Sequence, residues 1–216
     1  VFTILNGVDV GAIVPNGDRQ RIRSGLGLRP DDKVVGIVAN FKKVKNHLFL
    51  LRAVHELLRT GERVKLLLVG EGYDNDPENT ERDVRAYVHE HGLGGHVRLL
   101  GYRADVASIL GALDVFCLTS LKEGLPISLI EAMAAGLPVV GTDVEGIREV
   151  IIPDHNGFLV QLGDVQGLRS ILQSLLGSDS LRERIGRESR SLAADRYSLR
   201  SCVRRYEDVF RASLGR

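Results

Sequence analysis

Apolar and polar residues follow two different rhythms along most of this chain. Short runs rich in Val, Ile and Leu predict six strands, at 34–39, 65–69, 97–100, 115–118, 138–141 and 157–160, the last at a sheet edge. Longer patterns of helical period separate them, at about 46–59, 80–91 and 106–113, and after Pro126. The strands are nearly continuous in apolar residues, which is typical of a parallel sheet covered on both faces. The pattern predicts an α/β fold, a doubly wound parallel sheet of the Rossmann-like kind.

The ends of the chain follow other patterns. After residue 164 only helices are predicted, with one apolar stripe at 168–176 and Arg-rich segments at about 181–194 and 198–213. Residues 1–5 have strand character, and 15–32 resemble an entry linker with a short helix around 19–25. We therefore divide the chain into an entry segment (1–32), a Rossmann-like domain (33–196) and a C-terminal helix (197–216). Because the chain begins with Val1, in strand character, we interpret it as a fragment of a longer protein.

Composition narrows the class of protein. The chain has 216 residues, 44% of them apolar, and its formal net charge is only +1, so no overall field favours nucleic acid or an acidic membrane. Two cysteines without metal-ligand spacing favour a reducing compartment, and we expect a cytoplasmic protein. For the Arg-rich end, a solvated helical face is the default interpretation. Contact with a missing domain, or with anionic lipid headgroups at the membrane, is the lesser alternative.

One segment combines the elements of a binding site. An apolar strand ends before Glu123, Gly124 and Pro126, and a helix then begins that carries Glu131, eight residues after the first carboxylate. The amides at a helix N-terminus can hold an anion, and carboxylates can hold hydroxyl groups. Ligands of doubly wound folds bind beyond the carboxyl ends of the strands, where the loops 42–45 and 70–72 also lie. The combination suits a sugar linked to a nucleoside diphosphate.

The motifs also resemble those of a known family. Glu123 and Glu131 match the Glu-x7-Glu motif of retaining glycosyltransferases with the GT-B fold, and the chain is similar to glycosyltransferase family four, group 1. Further matches follow in family order at 6–9 (Asn-Gly-Val-Asp), 39–47, 69–72, 97–102, 132–140 and 156–160. The resemblance implies two Rossmann-like domains around a cleft. This chain would be the C-terminal, donor-binding half, and its missing partner the N-terminal, acceptor-binding domain.

The resemblance also implies roles for individual residues. Glu123 would contact hydroxyl groups of the donor sugar and Glu131 those of the ribose, while Lys45 would stabilise the departing diphosphate. We take Lys45 and Glu123 as catalytic. The substrate-binding candidates are Asn40, Lys42, Lys43, Gly72, Tyr102, Gly124, Leu125, Pro126, Ile127 and Glu131. The amides of 127–129 would face the phosphates and sugar.

Some of these roles have a simpler alternative. The lysines of 42–45 would also suit a solvated loop, and Gly70–Gly72 would equally serve close backbone packing. The chain departs from the family in two places: Asn40 stands where many members have Arg, and Asn46 replaces a glycine that follows the family's lysine. Lys42 or Lys43 would then supply the missing charge.

The predicted activity is transfer of a hexose from a UDP-, GDP- or ADP-sugar to an acceptor, with retained anomeric configuration and without metal or other cofactor. The alternative is a nucleotide-sugar-binding module without catalysis. A nicotinamide-dependent dehydrogenase is opposed by the sequence, since no Gly-x-Gly-x-x-Gly fingerprint follows the first strand.

Overall fold

A computed structural model describes residue 4 and residues 6–13 and 19–214 of the chain. Most of the predicted strand character at 1–5, and residues 15–18 of the predicted entry linker, lie outside the described residues. The strands are β1 (Lys33–Val38), β2 (Val64–Val69), β3 (Val97–Leu99), β4 (Val115–Leu118), β5 (Val139–Thr142) and β6 (Gly157–Val160). They form one parallel sheet in the order β3-β2-β1-β4-β5-β6. The predicted fold class and the edge position of the last strand are confirmed.

Helices precede, connect and follow these strands. They are α1 (Arg19–Gly25), α2 (His47–Arg59), α3 (Glu81–Glu90), α4 (Val106–Ala112), α5 (Ile127–Ala134), α6 (Glu145–Arg148), α7 (Val165–Gly177), α8 (Asp179–Arg196) and α9 (Leu199–Ser213). The expected helices agree with these bounds within a few residues. Not predicted were α6 and two 3-10 turns, at Lys43–Lys45 and Leu93–Gly95. Segments of three or four residues are too short to show a helical period.

The sheet is covered on both faces. Neighbouring residues of a strand point to opposite faces, and Leu66, Leu67 and Leu68 of β2 are all fully buried. α2 packs against α3 and α7, while α5 packs against α8. This double cover explains why the strands read as continuous apolar runs.

Hydrogen bonds attach the N-terminal part of the described chain to this layered body. The guanidinium of Arg23 on α1 is buried and donates to the carbonyls of Ala112 and Asp32 and to the carboxylate of Asp114. Val8 exchanges backbone hydrogen bonds with the junction of α8 and α9, where it donates to Tyr197 and accepts from Leu199.

Among the described residues, no helix is both long and apolar enough to span a bilayer.

Candidate functional site

The strand order reverses between β1 and β4, and the loops that follow these two strands are joined there. The Leu121 amide donates to the carbonyl of Val44 over 2.7 Å. The buried hydroxyl of Thr119 lies 3.3 Å from the Lys45 carbonyl and 3.2 Å from that of Asn46. A crevice at such a switch point is where doubly wound folds bind ligands. Its walls are therefore tied together by backbone and hydroxyl contacts.

The two predicted catalytic side chains meet in this crevice. Lys45 Nζ lies 2.6 Å from Glu123 Oε1, and the hydroxyl of Ser120 donates to the same oxygen over 2.6 Å. The side chains of Lys45 and Glu123 are 23% and 10% exposed, so the pair is largely withdrawn from water. The second oxygen, Oε2, makes no hydrogen bond to any described residue. One carboxylate oxygen is thus held and the other is left for a ligand.

Helix α5 begins beside this pair with free donors. Pro126 caps the helix, and its carbonyl accepts from the amides of Leu129 and Ile130. The Leu129 amide, one of the three expected to face the ligand, is thus already bonded at the start of the helix. The amides of Ile127 and Ser128 make no hydrogen bond to a described residue. They leave the positive end of the helix dipole available to an anion.

Glu131 lies one turn further along α5. It shares a helix face with Ile127, four residues earlier and about 6 Å back along the axis. Its carboxylate is partly buried and has no hydrogen bond or ion pair with the described residues, and burial raises its pKa. A half-buried carboxylate without a partner is costly unless a ligand supplies donors. Glu131 is therefore poised to accept hydrogen bonds from hydroxyl groups.

The loop around these residues includes two close backbone approaches. A Cβ built at Gly146 of α6 would collide with the carbonyl oxygens of Glu123 and Gly124. Gly124 itself is exposed, Leu125 is half-buried, and Pro126 is buried. The loop before α5 is thus backed by α6 and presents Gly124 and Leu125 on its outer side.

The residue after Lys45 explains a departure from the family pattern. Asn46 has φ 51° and ψ 46°, the left-handed conformation that glycine adopts freely and asparagine tolerates better than most residues. A turn of this shape directs Lys45 into the crevice before α2 begins. Asn46 can therefore replace glycine without changing the loop.

The two other lysines of this loop are placed elsewhere. Lys42 lies 2.9 Å from the Asp76 carboxylate, whose hydrogen bond and charge raise the pKa of the lysine. Lys43 lines a separate cleft of about 370 Å³ together with His47, Glu78 and Asp83. The structure brings neither of them into contact with the Lys45–Glu123 pair, so the substitution of a missing arginine by Lys42 or Lys43 stays a prediction.

The loop after β2 contains the sequence Asp74-Asn75-Asp76, which has the Asp-x-Asp spacing typical of metal-dependent donor binding. Here the second carboxylate is occupied by Lys42 and by the amide of Glu78, and the first lies 3.9 Å from Arg82. The described part of the chain contains no cluster of three or more His, Cys, Asp or Glu side chains suited to a metal ion.

Two side chains near the end of β1 have buried polar atoms without partners. The Oδ1 atom of Asn40 is buried without a hydrogen bond. The ring of His47 is stacked on Phe41 at 4.5 Å, and neither ring nitrogen makes a hydrogen bond of good geometry to a described residue. Burial lowers the pKa of His47 to about 4; the Lys45 charge adds to this shift, and the nearby Ala39 backbone opposes it.

The remaining predicted contacts lie on the loops after β2 and β3. Gly70 has φ 138°, and a Cβ there would collide with the Ala39 carbonyl, so close backbone packing accounts for this glycine. The amide of Gly72 donates to the carboxylate of Glu81 over 2.8 Å. That amide is therefore engaged within the protein. Tyr102 is 71% exposed and is open to a ligand at the rim.

Three hydroxyl groups at the site were missed in the sequence. Ser120, Thr119 and Thr142 are all buried, and Thr142 donates to the Ser120 carbonyl over 2.5 Å. The available signal was the pair of hydroxyl residues between the apolar run of β4 and Glu123. Polar residues at the buried end of a strand need hydrogen-bond partners, and here these partners lie on the loops that carry Lys45 and Glu123.

Comparison with known proteins identifies the family of this chain. The model of the family described as Glycosyl transferases group 1 matches residues 18–192. The chain belongs to this family. One relative in it is N-acetyl-alpha-D-glucosaminyl L-malate synthase of Bacillus anthracis, 31% identical over 193 residues, which cover 89% of this chain and 49% of the relative. The chain spans about half the length of this curated relative.

Solved structures agree with the group 1 assignment in fold. The crystal structure of Anabaena Alr3699/HepE in complex with UDP-glucose matches with a TM-score of 0.88 at 24% identity, over 97% of this chain and 57% of that one. The C-terminal domain of LpcC, a group 1 family protein of Francisella tularensis, matches with a TM-score of 0.79 at 26% identity. That match covers 89% of this chain and 100% of the LpcC domain, so the fold is that of a GT-B C-terminal domain.

Proposed function

We propose that this chain is the donor-binding domain of a retaining, metal-independent glycosyltransferase of family four. The full enzyme would transfer a hexose from a nucleoside diphosphate sugar to an acceptor. The observation that carries the proposal is the arrangement at the head of α5. Lys45, on the loop after β1, meets Glu123, a carboxylate with one free oxygen on the loop before α5. The first two amides of α5 are free, and the unpartnered carboxylate of Glu131 follows four residues after Ile127.

Each group has a task in this reaction. Loss of the glycosyl group leaves negative charge on the diphosphate, and Lys45 with the amides of Ile127 and Ser128 would stabilise that charge. Because Lys45 supplies the positive charge, the proposal requires no metal. Oε2 of Glu123 would accept from donor sugar hydroxyls, and Glu131 from the two ribose hydroxyls. Retention follows if the acceptor attacks from the face that the diphosphate leaves, with the diphosphate oxygen as the base.

The comparisons support a nucleotide sugar as the ligand. Anabaena HepE, whose fold this chain shares, was crystallised with UDP-glucose. We therefore propose a nucleoside diphosphate hexose as the donor and take UDP-glucose as the first probe. The acceptor would bind mainly to the partner domain that this half of the enzyme faces.

Calorimetric titration of the 216-residue chain tests this proposal. The panel of ligands consists of UDP, GDP and ADP, the corresponding nucleoside monophosphates, and UDP-, GDP- and ADP-glucose, all at pH 7.5. We expect the chain to bind the nucleotides of one base. Lys45→Ala should weaken binding of that nucleoside diphosphate about tenfold, because a charged hydrogen bond is lost. Glu131→Ala should weaken binding of the nucleoside diphosphate and of the nucleoside monophosphate to the same extent, because both contain the ribose.

The matched control is Lys33→Ala. Lys33 also forms an ion pair with a carboxylate, that of Asp179, but it lies at the start of β1, the opposite end of the strand from the crevice. This variant should bind like the wild type. Equal affinity of Lys45→Ala, Glu131→Ala and the control for every ligand would contradict the assignment of the site.

A non-catalytic nucleotide-sugar-binding module is the second candidate. It is favoured by Asn40, an uncharged residue with a buried unpartnered oxygen where many family members have arginine. A transfer assay with the two-domain protein separates the candidates. Tight donor binding with neither transfer nor donor hydrolysis would favour the module.

A further inference from the structure

We infer that Ser120 is a positioning residue, whose hydroxyl holds Glu123 so that Oε2 faces the donor sugar. The inference rests on the proposed function and adds a residue to it. Ser120 is fully buried, so it would not touch the donor itself. It would act through the carboxylate three residues later.

The hydrogen bonds around Ser120 specify one arrangement. Its hydroxyl donates to Oε1 of Glu123 over 2.6 Å, and Lys45 donates to the same oxygen over 2.6 Å. A carboxylate oxygen has two lone pairs, and these two donors occupy both. Oε2 therefore remains the acceptor for a ligand, and the carboxylate plane is fixed from two sides.

The serine is itself anchored from the neighbouring strand. Thr142, at the end of β5, donates from its hydroxyl to the Ser120 carbonyl over 2.5 Å, and both residues are fully buried. A chain of hydrogen bonds thus runs from Thr142 through Ser120 to Glu123. Only the carboxylate of Glu123 is in contact with water. A side chain in a binding site keeps one orientation if the residues that hydrogen-bond to it are themselves fixed.

Removal of the hydroxyl has a specific consequence. In Ser120→Ala, Oε1 would keep only the flexible Lys45, and the carboxylate could turn towards this single cation. The sugar would then lose a well-placed acceptor, while the nucleotide would keep Glu131 and the α5 amides. Ser120 should therefore affect the sugar part of the donor and not the nucleoside diphosphate.

The test compares UDP with UDP-glucose, or the corresponding pair for the base that the panel selects. We expect Ser120→Ala to raise the Kd of the nucleotide sugar about tenfold and that of the nucleoside diphosphate less than about twofold. The matched control is Ser189→Ala. Ser189 is equally buried and donates over 2.5 Å to the Asn156 carbonyl from α8, outside the crevice loops. This control should change neither constant.

A double-mutant cycle separates positioning from a general structural effect. If Ser120 acts through Glu123, then Ser120→Ala should add no further loss of sugar affinity in a Glu123→Ala background. An additive loss there, or an equal loss for UDP and UDP-glucose, would overturn the inference while leaving the donor site intact. If the wild-type chain bound no member of the panel, the proposed function and this inference would both be wrong.

Discussion

At the scale of single residues, the structure shows contacts that the sequence pattern does not predict. Lys45 and Glu123 are recognisable one by one, because each follows a strand in a family motif. Their direct contact is not, since 78 residues separate them. The hydrogen bond from Thr142 to Ser120 spans 22 residues and is equally invisible in a local pattern. Contacts between distant loops depend on the register of the whole sheet, which no sequence window contains.

Asn46 provides a prediction at this scale. Because its backbone is left-handed, Asn46→Gly should leave the free energy of unfolding within about 0.5 kcal/mol of the wild type. Asn46→Val should lower it by about 1–2 kcal/mol, since a β-branched side chain is disfavoured in this conformation. Urea denaturation monitored by circular dichroism measures both. Equal stability of the two variants would show that the strain at this position is not what restricts it.

At the scale of elements, the strands and most helices could be predicted and the connections between their ends could not. Buried parallel strands leave continuous apolar runs, and helices such as α2 and α7 leave a clear stripe. The loop 39–46 has no period to detect. Its shape follows from hydrogen bonds to the neighbouring loops: Ala39 and Phe41 donate to Val69 and Glu71, and Val44 accepts from Leu121.

The first residue of α2 makes the stability of this loop sensitive to acid. His47 has a pKa of about 4 in the folded chain and an ordinary value of 6.5 when unfolded. The unfolded state therefore binds its proton first, and the stability from neutral His47 is lost as pH falls from about 6.5 towards 4. By pH 5 the loss should be about 2 kcal/mol. His47→Leu removes this titration. Between pH 7.5 and 5 its free energy of unfolding should therefore fall by about 2 kcal/mol less than that of the wild type.

Urea titrations at both pH values measure the difference. The control is Ser189→Ala, which removes a buried hydroxyl and no titratable group, so it should lose as much stability between the two pH values as the wild type. A His47→Leu variant that lost as much stability as the wild type over the same interval would assign the acid sensitivity to other groups.

At the scale of the whole molecule, one surface lacks a partner among the described residues. Helix α9 has no buried residue, and an apolar stripe runs along it with 46–74% exposure, formed by Leu199, Val203, Tyr206, Phe210 and Leu214. Their spacing of three and four residues places them on one face. Val8 lies against the first residue of this helix, so the N-terminal segment and the stripe are adjacent. The chain spans about half the length of the relative that it matches. We propose that a second domain of the full enzyme, the proposed acceptor-binding domain, covers this face.

Substitution of the stripe tests that proposal. In the 216-residue chain, Val203→Lys with Phe210→Lys should change the free energy of unfolding by no more than about 0.5 kcal/mol, because both side chains are already exposed. In the two-domain protein the same pair should bury two charges, speed hydrogen exchange of the α9 amides and lower the unfolding midpoint. Asp208→Lys, on the opposite face of α9, is the matched control and should do neither. Unchanged exchange in the two-domain protein would mean that the second domain leaves α9 uncovered, and the stripe would then need another occupant.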